Sequence, residues 1–180
     1  MDFQELLLKV AKILQDLKIP YAVTGGYAVS IWGRLRSTYD IDIVIEIFDT
    51  QIKTLHQALR EISKLIYVDD GTKKWFNFIH GESGIKVDFF IVSEEDKVSK
   101  LELERRVPQI IENQTVYFVS PEDLILSKLR WYKEGESFKQ LEDINSIFKI
   151  QKKLDLDYLK KQAKVQSTTK ILKSLLNKAN

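Results

Sequence analysis

Cysteine is absent from the 180 residues, which excludes disulfides, thiolate metal sites and a cysteine nucleophile. Histidine is nearly absent, with His56 and His80 alone, so a histidine-rich zinc centre is excluded too. No apolar run approaches the roughly 18–20 residues that span a bilayer. The opening Met1-Asp2-Phe3-Gln4-Glu5 lacks the basic-then-apolar order of a secretory signal, so the expected setting is cytoplasmic, without a membrane partner. Glycine and proline are scarce, at seven and three, and no repeat or long linker interrupts the chain. What is present is a hydrophobic share of 44%, enough for a sizeable core in about one domain. Any chemistry must then be done by carboxylates, lysine, arginine and hydroxyls.

Charge is balanced overall, with 28 basic against 26 acidic residues, but unevenly placed. From Gln151 to Asn180 there are eight lysines against Asp155 and Asp157, a local +6 that leaves −4 for residues 1–150. Such asymmetry points to a polyanionic partner near the C-terminal end. The plainer reading is that these lysines coat the solvated faces of terminal helices.

Phe3, Leu6, Leu7, Val10, Ile13, Leu14 and Leu17 recur at helical spacing and predict an opening helix, stopped by Pro20. Tyr21-Ala22-Val23-Thr24 predicts a short strand ending at Gly25-Gly26, followed by a short helix from Tyr27 to Trp32. Asp40 to Ile47 alternates in strand fashion with four isoleucines on one face. Thr50 is a candidate cap for a helix running through Leu65, apolar at Ile52, Leu55, Leu59, Ile62 and Ile66. Strands around Trp75–Ile79 and Ile85–Val92 are joined by the turn Gly81-Glu82-Ser83-Gly84, and Ser93-Glu94-Glu95-Asp96 opens another helix, its acids suited to the N-terminal dipole. A strand pair is expected near Val107–Ile111 and Val116–Val119. After it, Ser120-Pro121-Glu122-Asp123 carries the marks of a helix start. The expected fold is α+β (or α/β): a small mixed sheet flanked by helices over residues 1–119, and a helical region over 120–180.

Two segments concentrate the chemistry. Asp40-Ile41-Asp42 places two carboxylates side by side, because residues i and i+2 of a strand share a face. Lys86-Val87-Asp88-Phe89-Phe90-Ile91 sets one acid in an apolar strand, where a lone carboxylate is costly unless paired or metal-bound. If the two strands are neighbours the three acids converge, and an all-oxygen anionic set suits Mg²⁺ or Mn²⁺. Gly25-Gly26, at a strand-to-helix turn, lets backbone N–H groups approach a phosphate. Taken singly, Asp40, Asp42 and Glu46 are equally readable as the wet face of an amphipathic strand.

The stretch Gly25-Gly26-Tyr27-Ala28, followed by Arg36-Ser37-Thr38-Tyr39-Asp40-Ile41-Asp42-Ile43, resembles the signature of the nucleotidyltransferase superfamily with the DNA polymerase β-like fold. Within that superfamily the chain looks most like the minimal group containing AbiEii-type toxins of toxin–antitoxin systems. The third carboxylate of the pattern falls on Asp88. Pro121-Glu122-Asp123-Leu124-Ile125-Leu126-Ser127-Lys128-Leu129 and Leu141-Glu142-Asp143-Ile144 resemble two later elements, so the likeness covers roughly residues 8–150. It departs at Arg130-Trp131-Tyr132-Lys133, and at Ser137 and Gln140, where the toxin pattern carries arginine and aspartate.

The resemblance implies transfer of a nucleoside monophosphate from a nucleoside triphosphate to an acceptor, with release of pyrophosphate. Asp40 and Asp42 would hold the metals and Asp88 would complete the acceptor side. Gly25, Gly26, Arg36, Thr38 and Lys128 are the candidate nucleotide contacts. Arg34 is expected to be merely exposed; Asp143 could orient Lys128 or Arg130, but is expected to be an ordinary helix-surface acid. His56 and His80 are expected to be structural or exposed, and Trp32, Trp75 and Trp131 to be core or rim residues. Acceptors compatible with this reading are an RNA such as tRNA, a protein, or a small molecule, since small aminoglycoside and lincosamide nucleotidyltransferases have a similar length and opening motif. A cognate antitoxin is the partner a toxin-like member would have. The rival from another class is a non-catalytic nucleotide-, nucleic-acid- or protein-binding module that keeps the fold.

Overall fold

A computed structural model describes residues 1–62, 65–69 and 74–179, with the side chains of 65–69, 178 and 179 outside the description. The elements are α1 (Phe3–Asp16), β1 (Tyr21–Val23), α2 (Gly25–Trp32), β2 (Asp40–Ile45), α3 (Asp49–Ile62), β3 (Leu65–Asp69), β4 (Trp75–His80), β5 (Lys86–Ile91), α4 (Lys97–Glu104), β6 (Val107–Ile111), β7 (Gln114–Phe118), α5 (Pro121–Gly135), α6 (Phe138–Ile150), α7 (Leu156–Val165) and α8 (Thr169–Ala179). They group into two compact units, Met1–Tyr27 with Ser37–Val119, and Ala28–Arg36 with Ser120–Asn180. The chain thus passes from the first unit to the second within α2, and returns before β2.

The first unit holds a seven-stranded mixed sheet in the order β3-β4-β5-β2-β1-β7-β6. β2 runs parallel to β5 and antiparallel to β1, which in turn is parallel to β7. β4 joins β5 as the expected hairpin, with Gly84 taking up φ +70° in the turn. Ile41, Ile43 and Ile45 on β2 are fully buried, as are Phe89 on β5 and Phe118 on β7. Each such side chain contributes about 1.5–3 kcal/mol by leaving water. α1 packs on α3 and β7, and α4 packs on β1 and β2. This apolar anchoring fixes which face of β2 carries Asp40 and Asp42, since a one-residue slip would exchange the faces.

Two expectations need correction here. The helix predicted through Leu65 ends at Ile62, and Leu65–Asp69 is a strand; residues 63 and 64 lie outside the described residues. Leu65, Ile66, Tyr67 and Val68 form a β-favouring run, and pairing with β4 from Leu65↔His80 to Asp69↔Phe76 overrides the helical spacing of Ile62 and Ile66. Thr50 lies inside α3, which already begins at Asp49, and so does not cap it. Downstream, Asp96 of the expected Ser93–Asp96 start caps α4, its carboxylate accepting the Val98 and Ser99 N–H groups.

In the second unit α5 packs on α6 and α7, and α8 packs on α6 and α7. Ser120 caps α5 through a 3.1 Å hydrogen bond from the Asp123 N–H, with Pro121 at the first helical position. Residues 28–36 are tied to α6 by close backbone approach: a Cβ on Gly33 would collide with Ser146 Oγ, which also accepts the Arg34 N–H at 3.2 Å.

Candidate active site

The carboxylates of the first unit meet because β2 and β5 are neighbours in register. Asp40 pairs with Lys86, and Asp42 pairs with Asp88. Since side chains alternate along strands, these four share one face, and Asn77 of β4 joins the row through its pairing with Asp88. Asp40 is exposed, Asp42 is partly buried, and Asp88 is only 4% exposed.

The electrostatics follow from that packing. Burial, then the charges of Asp88 and Asp40, push the Asp42 carboxyl up to about 6, although Lys86 and a hydrogen bond from the Gly26 N–H pull it down. Asp88 Oδ2 accepts from Lys86 Nζ at 2.8 Å. Its hydrogen bond to Asp88 raises the Lys86 ammonium above its ordinary value against burial, helped by the charges of Asp88, Asp40 and Asp42. Asp88 Oδ1 is buried with no hydrogen-bond partner among the described residues, and so is Asn77 Oδ1. Orphaned buried oxygens are costly unless a cation or donor reaches them. The oxygen-only donor set and the open Asp88 Oδ1 fit Mg²⁺ or Mn²⁺. Among the described residues, however, no three acids or histidines are gathered in a ligating arrangement.

The glycine turn is shaped around this face. Gly25 adopts φ +63°, and a Cβ there would collide with the Asp42 carboxylate. Gly25-Gly26 therefore opens α2 against the acid, with the Gly26 N–H turned to Asp42. Thr38 Oγ1 donates to the Asp40 carbonyl at 3.3 Å, so its hydroxyl shapes the entry to β2.

The second unit gathers the cations. Asp143 is fully buried and binds Arg36 Nη1 at 2.7 Å, Lys128 Nζ at 2.9 Å and Arg34 Nη2 at 3.2 Å. Burial would raise its carboxyl, but Lys128, Arg36 and Arg34 outweigh burial and hold it below the usual range. Asp143 is thus no helix-surface acid, and Arg34 is not merely exposed: it also binds Glu142 at 2.8 Å. Helical periodicity left Asp143 looking like a surface residue because its burial depends on cations drawn from distant sequence. Lys128 is 5% exposed and donates also to Gln140 Oε1 at 3.1 Å. Arg36 is held by Ser30, whose Oγ donates to the Arg36 carbonyl at 3.2 Å.

Sequence reasoning passed over Lys86 and Asn77. The Lys86 signal was present in the i, i+2 spacing to Asp88, whereas Asn77 is placed only by cross-strand register. The histidines stand apart from the acids: His80 Nδ1 lies 2.7 Å from Ser83 Oγ in the hairpin, and His56 packs edge-on against Phe76 and Phe78. Trp32 is buried and Trp131 exposed.

A family model described as nucleotidyltransferase of unknown function (DUF6036) matches residues 1–178. The chain belongs to this family. It is accordingly a nucleotidyltransferase, and the mixed sheet flanked by helices is the fold expected of one. An antigenic nucleotidyltransferase-like protein from Paracoccidioides brasiliensis has a similar structure, with TM-score 0.65 and 20% identity over 97% of this chain and 91% of that one. The lincosamide antibiotic adenylyltransferase LnuA, solved with lincomycin, gives TM-score 0.60 and 16% identity over 82% of this chain and 97% of its own. ANT(2")-Ia, solved with adenylyl-2"-tobramycin, gives TM-score 0.64 and 14% identity over 92% and 97%. No curated protein matches the chain in sequence. Among the described residues no helix is long and apolar enough to cross a membrane.

Proposed function

We propose that the chain transfers a nucleoside monophosphate from a metal-bound nucleoside triphosphate to a hydroxyl acceptor, with Asp40, Asp42 and Asp88 as the metal-holding acids. The observation that carries this reading is the β2–β5 register, which sets Asp42 beside Asp88, whose Oδ1 is buried with no hydrogen-bond partner among the described residues. A bound Mg²⁺ or Mn²⁺ would supply charge neutralisation on the phosphate oxygens. The acceptor oxygen would form the new bond to the α-phosphorus as the bond to pyrophosphate breaks, and the acceptor proton would pass to the Asp88 carboxylate and from it to solvent. Gly25, lacking a side chain, leaves room for the Asp42 carboxylate, and the Gly26 N–H orients it. The assignment of Gly25, Gly26, Arg36, Thr38 and Lys128 to the nucleotide rests on the sequence resemblance, as does the AbiEii-like, toxin-type reading with its antitoxin partner.

Two acceptor classes have an observation behind them. Similarly folded proteins hold lincomycin and adenylyl-tobramycin, which favours a small molecule bearing a hydroxyl. The exposed Lys160, Lys161 and Lys164 on α7 favour RNA. The test incubates the protein with each α-labelled triphosphate and Mg²⁺ or Mn²⁺, against total tRNA and against a panel of aminoglycosides and lincosamides. Label transfer with pyrophosphate release, abolished by Asp40→Asn, Asp42→Asn and Asp88→Asn, is the expected result. Reversing the charge of the three lysines removes transfer to tRNA and spares transfer to a small molecule. Undiminished transfer by the Asp88→Asn variant refutes the assignment of the third acid.

A further inference from the structure

The acid face carries a cation of its own, and this chain's sequence puts it there. Lys86 and Asp88 are two apart on β5, so they share a face, and the register sets Lys86 beside Asp40. The ammonium lies 2.8 Å from Asp88 Oδ2, on a side chain that is 35% exposed, whereas the Asp88 side chain is 5% exposed. The two partners therefore differ in freedom. Asp88 is held by the sheet, while Lys86 hangs on a four-carbon stem that reaches solvent and can turn away at little cost. Asp40 and Asp42 share the face with this ion pair and act on the ammonium through their charges.

We propose that Lys86 is the built-in counter-ion of the carboxylate face, occupying Asp88 in the free enzyme and leaving it when a divalent cation binds. Loading is then an exchange of one cation for another. Asp88 presents Oδ1 to the incoming metal and releases Oδ2 from the ammonium as the metal's charge replaces it. A monovalent, strongly hydrated ammonium and a divalent ion a few ångströms apart repel, and the mobile partner is the one that moves. Lys86 is a positioning residue on this view, lessening the repulsion among the three acids until metal and nucleotide arrive. The proposal rests on the metal-holding role of the acids given above, and extends it to a residue outside that set.

The test is Mn²⁺ binding to the nucleotide-free protein, followed by electron paramagnetic resonance, for wild type, Lys86→Met, Lys86→Arg, Asp88→Asn and the Lys86→Met/Asp88→Asn pair. Lysine-selective ¹³C spectra with and without saturating Mg²⁺ accompany it. Exchange predicts Mn²⁺ binding tighter by on the order of tenfold in Lys86→Met, the scale of one unit charge at a partly exposed site. Lys86→Arg, which keeps the charge, stays near wild type. In the Asp88→Asn background, removing Lys86 changes affinity little, because the exchange has lost its anion. The Lys86 signal moves on Mg²⁺ saturation to the position it already holds in metal-free Asp88→Asn. Weaker Mn²⁺ binding by Lys86→Met, or a Lys86 signal unmoved by saturating Mg²⁺, overturns the exchange while leaving the metal site standing. An absence of Mn²⁺ binding by wild type overturns the metal reading itself, and the exchange with it. Lys86 lies at the partly exposed start of β5, so the variants should fold, and far-ultraviolet circular dichroism checks this.

Discussion

Replacing Asp42 by asparagine should make the metal-free protein more stable at pH 8, an unusual outcome for a residue proposed to hold a metal. Asp42 is partly buried beside Asp88 and Asp40, which pushes its carboxyl from 3.8 up to about 6. The gap, at about 1.4 kcal/mol for each pH unit, corresponds to about 3 kcal/mol against the ionised form. Between pH 4 and 6 the folded chain holds this proton when the unfolded chain has lost it, so stability falls as pH rises through that window. Above about pH 6 the penalty is complete, and below about pH 4 it is absent. Asparagine keeps an oxygen for the Gly26 N–H but carries no charge. The Asp42→Asn variant should therefore gain up to about 3 kcal/mol over wild type at pH 8, shrinking to nothing towards pH 4. Urea unfolding in EDTA at pH 4, 5, 6 and 8 reads this directly, with the midpoint moving at constant slope. A variant no more stable than wild type at pH 8, or a difference independent of pH, would refute the argument that burial and the neighbouring acids raise the Asp42 carboxyl.

Asp143 should behave in the opposite sense. Asp143→Ala leaves Lys128 and Arg36 without their shared carboxylate and should cost about 3 kcal/mol, on the scale of breaking a buried ion pair. Because the Asp143 carboxyl is held below 3.8, its contribution is present above that pH and lost as pH falls through the lower folded value. Denaturant titrations should thus show a cost that is flat from pH 8 to pH 5 and shrinks only in stronger acid. Gly25→Ala should destabilise by at least about 1 kcal/mol, since alanine is strained at φ +63°. The same substitution drives a Cβ into the Asp42 carboxylate, so Mn²⁺ affinity should fall along with stability; wild-type affinity in a folded Gly25→Ala protein would show that the turn and the acid are independent.

Much of the acid face is legible in the chain itself because it is built from local periodicity. Alternation in Asp40-Ile41-Asp42-Ile43 and in Lys86-Val87-Asp88-Phe89 decides which residues turn towards the core and which turn away, whatever the strands pair with. The Gly25-Gly26 turn and the Ser120-Pro121 helix start are local too, fixed by backbone freedom and capping chemistry. What periodicity cannot supply is register and burial between distant segments. Only the parallel pairing of β2 with β5 makes Asp42 and Asp88 neighbours, and only the sheet order brings Asn77 beside them. The strand at Leu65–Asp69 is decided by its partner β4, against a helical pattern that is equally good locally. Asp143 is the clearest case: residues from 34, 36 and 128 converge on it, and a carboxylate that looks like a solvated helix acid becomes a fully buried anchor. The free energy of burying this charge depends on Lys128 of the preceding helix and on Arg34 and Arg36 more than a hundred residues away, and those partners come together only once the chain has folded.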